Sequence, residues 1–238
     1  MKKNNFKIVC LAAILFGTAS MAQAQFRQSI FLDGVLPVGS FASSATYNDV
    51  PFGMKDMGKE AMIGFGMGYR VSYRFDVGMG EVAPFAQADI FWNTIDGKWK
   101  DKFAGHQYST PNYFNVPVML GVSYLYDELW NDITLFGEFG LGGDFFFITH
   151  EGTGKGNERF AYKPTCELAW MVGAGAYFGQ HVSAGIYYYG LGKHYIDYTD
   201  KTIDNNSVAA IQAASYTLAN KRESRTLGEL AIRIGFHL

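Results

Sequence analysis

Three features of this sequence predict an all-β chain: an eight-stranded antiparallel up-and-down transmembrane β-barrel behind a cleaved N-terminal signal peptide. The closing stretch alternates Leu230, Ile232, Ile234, Phe236 and Leu238 with Glu229, Ala231, Arg233, Gly235 and His237. Successive side chains of an extended strand point to opposite faces, so one face here is wholly apolar and the other polar or small. Seven upstream segments repeat the pattern. They are joined alternately by long polar loops and short turns, as the extracellular loops and periplasmic turns of outer-membrane barrels are. Composition is the third feature: 16% aromatic residues and 28 glycines in 238 positions favour pleated, closely spaced strands.

The chain opens Met1-Lys-Lys-Asn-Asn-Phe-Lys7, continues through the apolar run Ile8–Phe16 and reaches Ala22-Gln23-Ala24 before Gln25. A basic start, a short apolar middle and a small-x-small site predict a signal peptide over 1–24 and a barrel domain over 25–238. The apolar run is shorter than the about 20 residues that a membrane helix needs. Without Lys2, Lys3 and Lys7, 17 of the 20 basic residues remain against 22 acidic ones, so nothing recruits nucleic acid. Only Cys166 survives processing, which excludes an intramolecular disulfide.

The first strand is expected at Phe26–Leu36, with Ile30, Leu32 and Leu36 opposite Ser29 and Asp33; it stops at Pro37 and Gly39. Ser40–Lys59 is rich in turn-forming residues and reads as a loop. Ala61–Val77 is a long second strand, with Phe65, Met67, Tyr69 and Val71 against Gly66, Gly68, Arg70, Arg74 and Asp76. A turn at 78–81 leads into Val82–Ile95, where Ile90 and Trp92 oppose Gln87 and Asp89, and Asp96–Tyr113 is the second loop. Phe114–Tyr126 and Ile133–Thr149 form the next hairpin about Asp127–Asp132, with Glu138 and Asp144 on the polar face. Beyond the loop His150–Lys163 come Pro164–Phe178, carrying Glu167 on its polar face, a turn at Gly179–His181, and Val182–Tyr195. The last loop, Ile196–Ser224, contains a run from Ser207 to Ser215 suited to one or two helical turns. An even number of strands puts both termini on the side of the short turns.

Two kinds of eight-stranded barrel invert this alternation. A soluble lipocalin-like barrel keeps its apolar face inside, whereas a membrane barrel turns it to lipid. The polar face decides. Arg70, Arg74, Asp76, Asp89, Glu138, Asp144, Glu167, Glu229 and Arg233 share it, and unsatisfied polar groups in lipid cost several kcal/mol each. They are expected inside as a paired charge network, with Leu230 to Leu238 closing the barrel and facing lipid.

Gly34-Val-Leu-Pro-Val-Gly-Ser-Phe41, Asn115-Val-Pro-Val-Met-Leu-Gly121, Tyr187-Tyr-Tyr-Gly-Leu-Gly192 and the closing strand resemble the small outer-membrane β-barrel domain family, OmpX/OmpA-like in architecture and with a PorT-like barrel. The resemblance covers the chain after residue 24 and marks a barrel rather than an activity. It implies a C-terminal strand read by the barrel-insertion machinery, for which Phe236 is the nearest aromatic residue to the end.

Gly64-x-Gly66-x-Gly68 resembles part of a dinucleotide fingerprint but lies within a strand, so it is expected to relieve crowding instead. His106, His150, His181, His194 and His237 lack metal-site spacing and read as isolated surface histidines, so no metal and no cofactor is expected. His194 with Asp197, or His150 with Glu151, would supply half of a catalytic set, but no serine stands convincingly beside either pair. The expectation is therefore no enzyme, with a barrel enzyme acting on lipid or protein as one alternative and a small passive channel as another. An eight-stranded interior is just wide enough for side chains to fill, which favours a plug over a path. Trp92, Tyr124, Tyr126, Trp130, Phe145, Tyr187, Tyr189 and Tyr195 read as interface girdles. The expected role is structural or partner-binding: lipid around the barrel, and an extracellular ligand or protein at the four loops.

Overall fold

A computed structural model describes residues 25–42, 61–94, 108–109, 112–130, 132–149, 151–153, 159–196, 198–202 and 223–238. The signal segment and the stretch 207–215 lie outside them. Twelve strands follow in chain order: β1 Gln25–Val38, β2 Gly64–Asp76, β3 Glu81–Asn93, β4 Tyr108–Ser109, β5 Tyr113–Trp130, β6 Ile133–Ile148, β7 Glu151–Thr153, β8 Arg159–Tyr162, β9 Thr165–Phe178, β10 Val182–Ile196, β11 Tyr198–Thr202 and β12 Glu223–His237. Eight of them close into one barrel in the order β1-β12-β10-β9-β6-β5-β3-β2, each antiparallel to both neighbours. That order is an up-and-down meander sealed by its first and last strands. At the seam Ile30 pairs with Phe236, Asp33 with Arg233 and Leu36 with Leu230.

The short connections cluster at one end. At one of them Val77 N–H donates to the Gly80 carbonyl at 3.0 Å, while Gly78 N–H donates to Asp76 Oδ1 at 2.8 Å. At the other end a 3-10 turn, Gly39–Phe41, folds the chain after β1 over the barrel mouth and leaves Phe41 fully buried.

Two departures from the sequence reading stand out. The turn expected at Asp127–Asp132 is tighter, because β5 runs on to Trp130 and takes up the extra residues as a register shift between Tyr126 and Trp130. Stretches read as loops also contribute strands: β11, β8, β7 and β4 form a second, four-stranded sheet in that order. These strands are too short to show an alternation, so their polar surroundings set the reading.

Candidate functional site

The inner face of the barrel carries the chemistry, in layers from the turn end to the loop end. Alternation along each strand sends every second side chain inward, and antiparallel registers set those side chains at common heights. At the turn end His237 of β12 bridges two other strands, with Nδ1 2.7 Å from Ser29 Oγ and Nε2 2.8 Å from Ser183 Oγ. Above it, Arg70 grips Glu138 with both Nη atoms, at 2.6 and 2.7 Å, and donates from Nε to Gln87 Oε1 at 2.7 Å. Ser123 Oγ also donates to Glu138, at 2.6 Å, and the guanidinium lies 4.0 Å from the Phe85 ring centroid.

Arg233, only 1% exposed, governs the next layer. Its Nε donates to Asp33 Oδ1 at 2.7 Å across the seam; Nη2 lies 2.9 Å from each of Asp33 Oδ2, Asp89 Oδ1 and the Tyr189 hydroxyl. Tyr189 in turn donates to Asp89 Oδ2 at 3.1 Å, and Gln87 donates to the same oxygen. One guanidinium thus ties β12 to β1, β3 and β10.

Towards the loops, Asn115 Nδ2 donates to Glu229 Oε1 at 3.0 Å. His194 lies with Nδ1 2.8 Å from Thr165 Oγ1, and with Nε2 2.8 Å from the Leu191 carbonyl and 3.2 Å from Asp144 Oδ2. An aromatic lid covers this layer: Phe41 meets Tyr113 edge-on at 5.4 Å and Phe146 at 6.1 Å, and Tyr113 stacks on Phe146 at 6.0 Å. The interior is therefore not purely polar, since rings alternate with ion pairs along its height. Glycines make room for those rings. A Cβ at Gly173 would collide with the Tyr187 ring, and one at Gly68 with the Asp89 carboxylate.

The structure brings Arg70, Asp89, Glu138, Asp144, Glu229 and Arg233 into the lumen, all of them buried. Arg74 continues that inward face at the turn end, its guanidinium 4.9 Å from the Tyr177 ring, whereas Asp76 and Glu167 stand apart from the enclosed network. Asp76 is exposed and caps the turn after β2. The Arg74 side chain is 10% exposed and lies 3.0 Å from Glu81. Glu167 is half-buried near the loop end beside Gly192, in no ion pair with a described residue. Asp76 and Glu167 sit at strand ends beyond the enclosed lumen, where inward parity no longer means enclosure.

Two of the histidines expected at the surface lie inside the barrel. His194 and His237 are buried inside the barrel rather than at its surface, whereas His181 is exposed; His106 and His150 lie outside the described residues. For His194 the cause is a β-bulge. Gly190 pairs with Gly228 but Gly192 with Leu227, so Leu191 is an extra residue and the inward parity changes from odd to even. Gly192 adopts φ 89° there, a conformation that glycine takes at little cost. Asp33 and Asn115 join the site without a signal of their own, and Tyr187 and Tyr189, expected in the interface girdle, are instead buried in the lumen against Arg233. Pairing the first strand with the last would have placed Asp33 opposite Arg233.

The outer face decides which kind of barrel this is. Leu120 (68% exposed), Leu168, Ile186 and Ile232 (64% exposed) are uncovered, as are Ile30, Met67, Ile90 and Leu141, so all eight barrel strands present apolar side chains outward. Leu230, Ile234, Phe236 and Leu238 lie on that face too. A band of this kind far exceeds the few hundred Å² of apolar patch that a soluble monomer exposes. The chain is an integral outer-membrane β-barrel.

Solved structures of similar architecture include neisserial surface protein A, 9% identical with a TM-score of 0.45 over 91% of this chain and 99% of that one. A major outer membrane protein from Thermus thermophilus is 11% identical with a TM-score of 0.48, covering 90% and 99%. OprG from Pseudomonas aeruginosa is 16% identical with a TM-score of 0.43, covering 90% and 95%. No family model and no curated protein matches the chain.

Proposed function

We propose that the barrel is a closed scaffold, holding its loops at the cell surface for an extracellular ligand or protein and conducting nothing through its lumen. The observation that carries this reading is Arg233. Its bonds to Asp33, Asp89 and Tyr189 span the cross-section, and the aromatic lid lies above them. Ions crossing such a lumen would have to break a paired guanidinium out of a low-dielectric site, which is costly.

The scaffold reading is preferred over a barrel enzyme because both ring nitrogens of His237 are engaged by serine hydroxyls, leaving none for an orienting carboxylate. His194 does stand between the Thr165 hydroxyl and the Asp144 carboxylate, but it is sealed from solvent and its Nε2 is also directed at the Leu191 carbonyl, so no substrate reaches it. Planar-bilayer recording tests the proposal: the pure protein is expected to give no steady conductance, and a stable open level would refute the plug. For the enzyme reading, loss of a lipid- or protein-modifying activity on His194→Ala would overturn the scaffold.

A further inference from the structure

Inside the turn-end mouth of the barrel, two arginines face one carboxylate. β12 stops at His237, and past its end Arg27 of β1 reaches across to the β9–β10 turn, where its Nη1 donates to the Gln180 carbonyl at 3.1 Å. Arg74 of β2 is its neighbour. Arg27 pairs with Ser72 and Gln25 with Arg74, so the two arginines are diagonal neighbours on the inward face, roughly 7–8 Å apart along the ladder. Arg27 also lies within range of the charges of Arg74 and Glu81 and of the Tyr177 hydroxyl.

Like charges at this spacing repel unless an anion stands by them. Glu81 accepts from Arg74 Nη1 at 3.0 Å, whereas Arg27 is in no ion pair among the described residues. The acids Asp76 and Asp132 are exposed in the turns outside the mouth, and Asp76 is bound to the Gly78 amide. Both guanidiniums are fixed in place. The Gln180 carbonyl holds one; Glu81 and the Tyr177 ring, 4.9 Å from Cζ, hold the other. Tyr177 in turn rests on His237 at 4.7 Å and on Phe136 at 5.2 Å. Arg27 and Tyr177 are half-buried, and the Arg70–Glu138 layer closes the lumen behind them. The result is a shallow, dead-ended basic cup that opens on the side of the short turns, the periplasmic side of an outer-membrane barrel.

We propose that Arg27, Arg74 and the Tyr177 hydroxyl bind a phosphate group at the periplasmic mouth of the barrel. The donors choose the anion. Each guanidinium is a planar fork that can take two oxygen atoms, so two forks and a hydroxyl present more donors than the two oxygens of a carboxylate accept, and phosphate carries four. Binding puts negative charge beside two cations that Glu81 alone half neutralises. A free phosphate in the periplasm and the headgroup of a phospholipid beside the turns offer the same chemistry. The site lies at the opposite end from the loops and does not depend on what they hold.

The test uses the full-length protein folded in uncharged detergent micelles, titrated with inorganic phosphate or acetate at constant ionic strength, and the same protein in phosphatidylcholine nanodiscs with or without phosphatidylglycerol. Phosphate is expected to saturate one site per chain, and acetate to bind about tenfold more weakly. Arg27→Gln and Arg74→Gln should each lower phosphate affinity about tenfold, the scale of one charge-assisted hydrogen bond. Glu81→Gln should raise it by releasing Arg74, and Asp132→Asn, in an exposed turn, should leave it unchanged. The two sources are told apart by the nanodiscs. A midpoint of the heat-induced gel-mobility shift that rises with phosphatidylglycerol in the wild type, but not in the Arg27→Gln, Arg74→Gln double variant, assigns the headgroup; phosphate binding in micelles without that rise assigns the free anion. No saturation by phosphate together with no dependence on phosphatidylglycerol would overturn the site. Acetate binding as tight as phosphate, or phosphate binding that persists in the double variant, would overturn it as well. If the variants fail to fold, the wild-type comparison of phosphate with acetate still decides.

Discussion

Arg233 neutralises two carboxylates, Asp33 and Asp89, that folding has removed from water. Arg233→Met would leave both buried and unpaired, at a cost of about 3–5 kcal/mol, read as a lower midpoint in urea unfolding. Adding Asp33→Asn and Asp89→Asn to that variant should recover most of the loss, because the charges that needed a partner are then gone. At this scale the sequence showed much of the site. Arg70, Glu138 and Arg233 fall on the polar face of clean alternations, so their inward direction could be read directly. Which of them meet could not, because Arg70 reaches Glu138 and Arg233 reaches Asp89 between strands that are not neighbours. Such pairings depend on how the barrel curves as well as on parity.

At the scale of the element, strand alternation held wherever the ladder was regular and failed where a bulge broke it. Val182–Tyr189 reads correctly from its side chains. Past the Gly190–Gly192 irregularity the same reading turns His194 outward, although its ring is fully enclosed. Gly192→Ala puts a Cβ 2.8 Å from the Leu168 carbonyl at positive φ, so a loss of about 1–3 kcal/mol is expected in urea unfolding. A result within about 0.5 kcal/mol of wild type, the range of an ordinary surface change, would show that the bulge is not strained. The outer face makes a contrasting prediction. Ile232→Arg is expected to cost about 2–4 kcal/mol in lipid bilayers, a penalty absent if that face met water.

For the whole molecule, the apolar exterior and the ion-paired interior follow from one decision, which of two alternating faces meets lipid. Fold class and strand number could be read from composition and the rhythm of loops and turns. The second sheet of β4, β7, β8 and β11 could not, because its strands are too short to carry a pattern. The central claim is a barrel with lipid outside and a sealed interior, and a nitroxide scan along 229–238 in a Cys166→Ser background tests both halves together. Labels at Leu230, Ile232, Ile234 and Phe236 should be relaxed by oxygen dissolved in the bilayer, while one at Ala231, which leaves the Arg233 network in place, should respond neither to oxygen nor to a water-soluble nickel chelate. Access of the nickel chelate to the first set would mean a soluble barrel, and access to Ala231 an open lumen; either result would contradict the account.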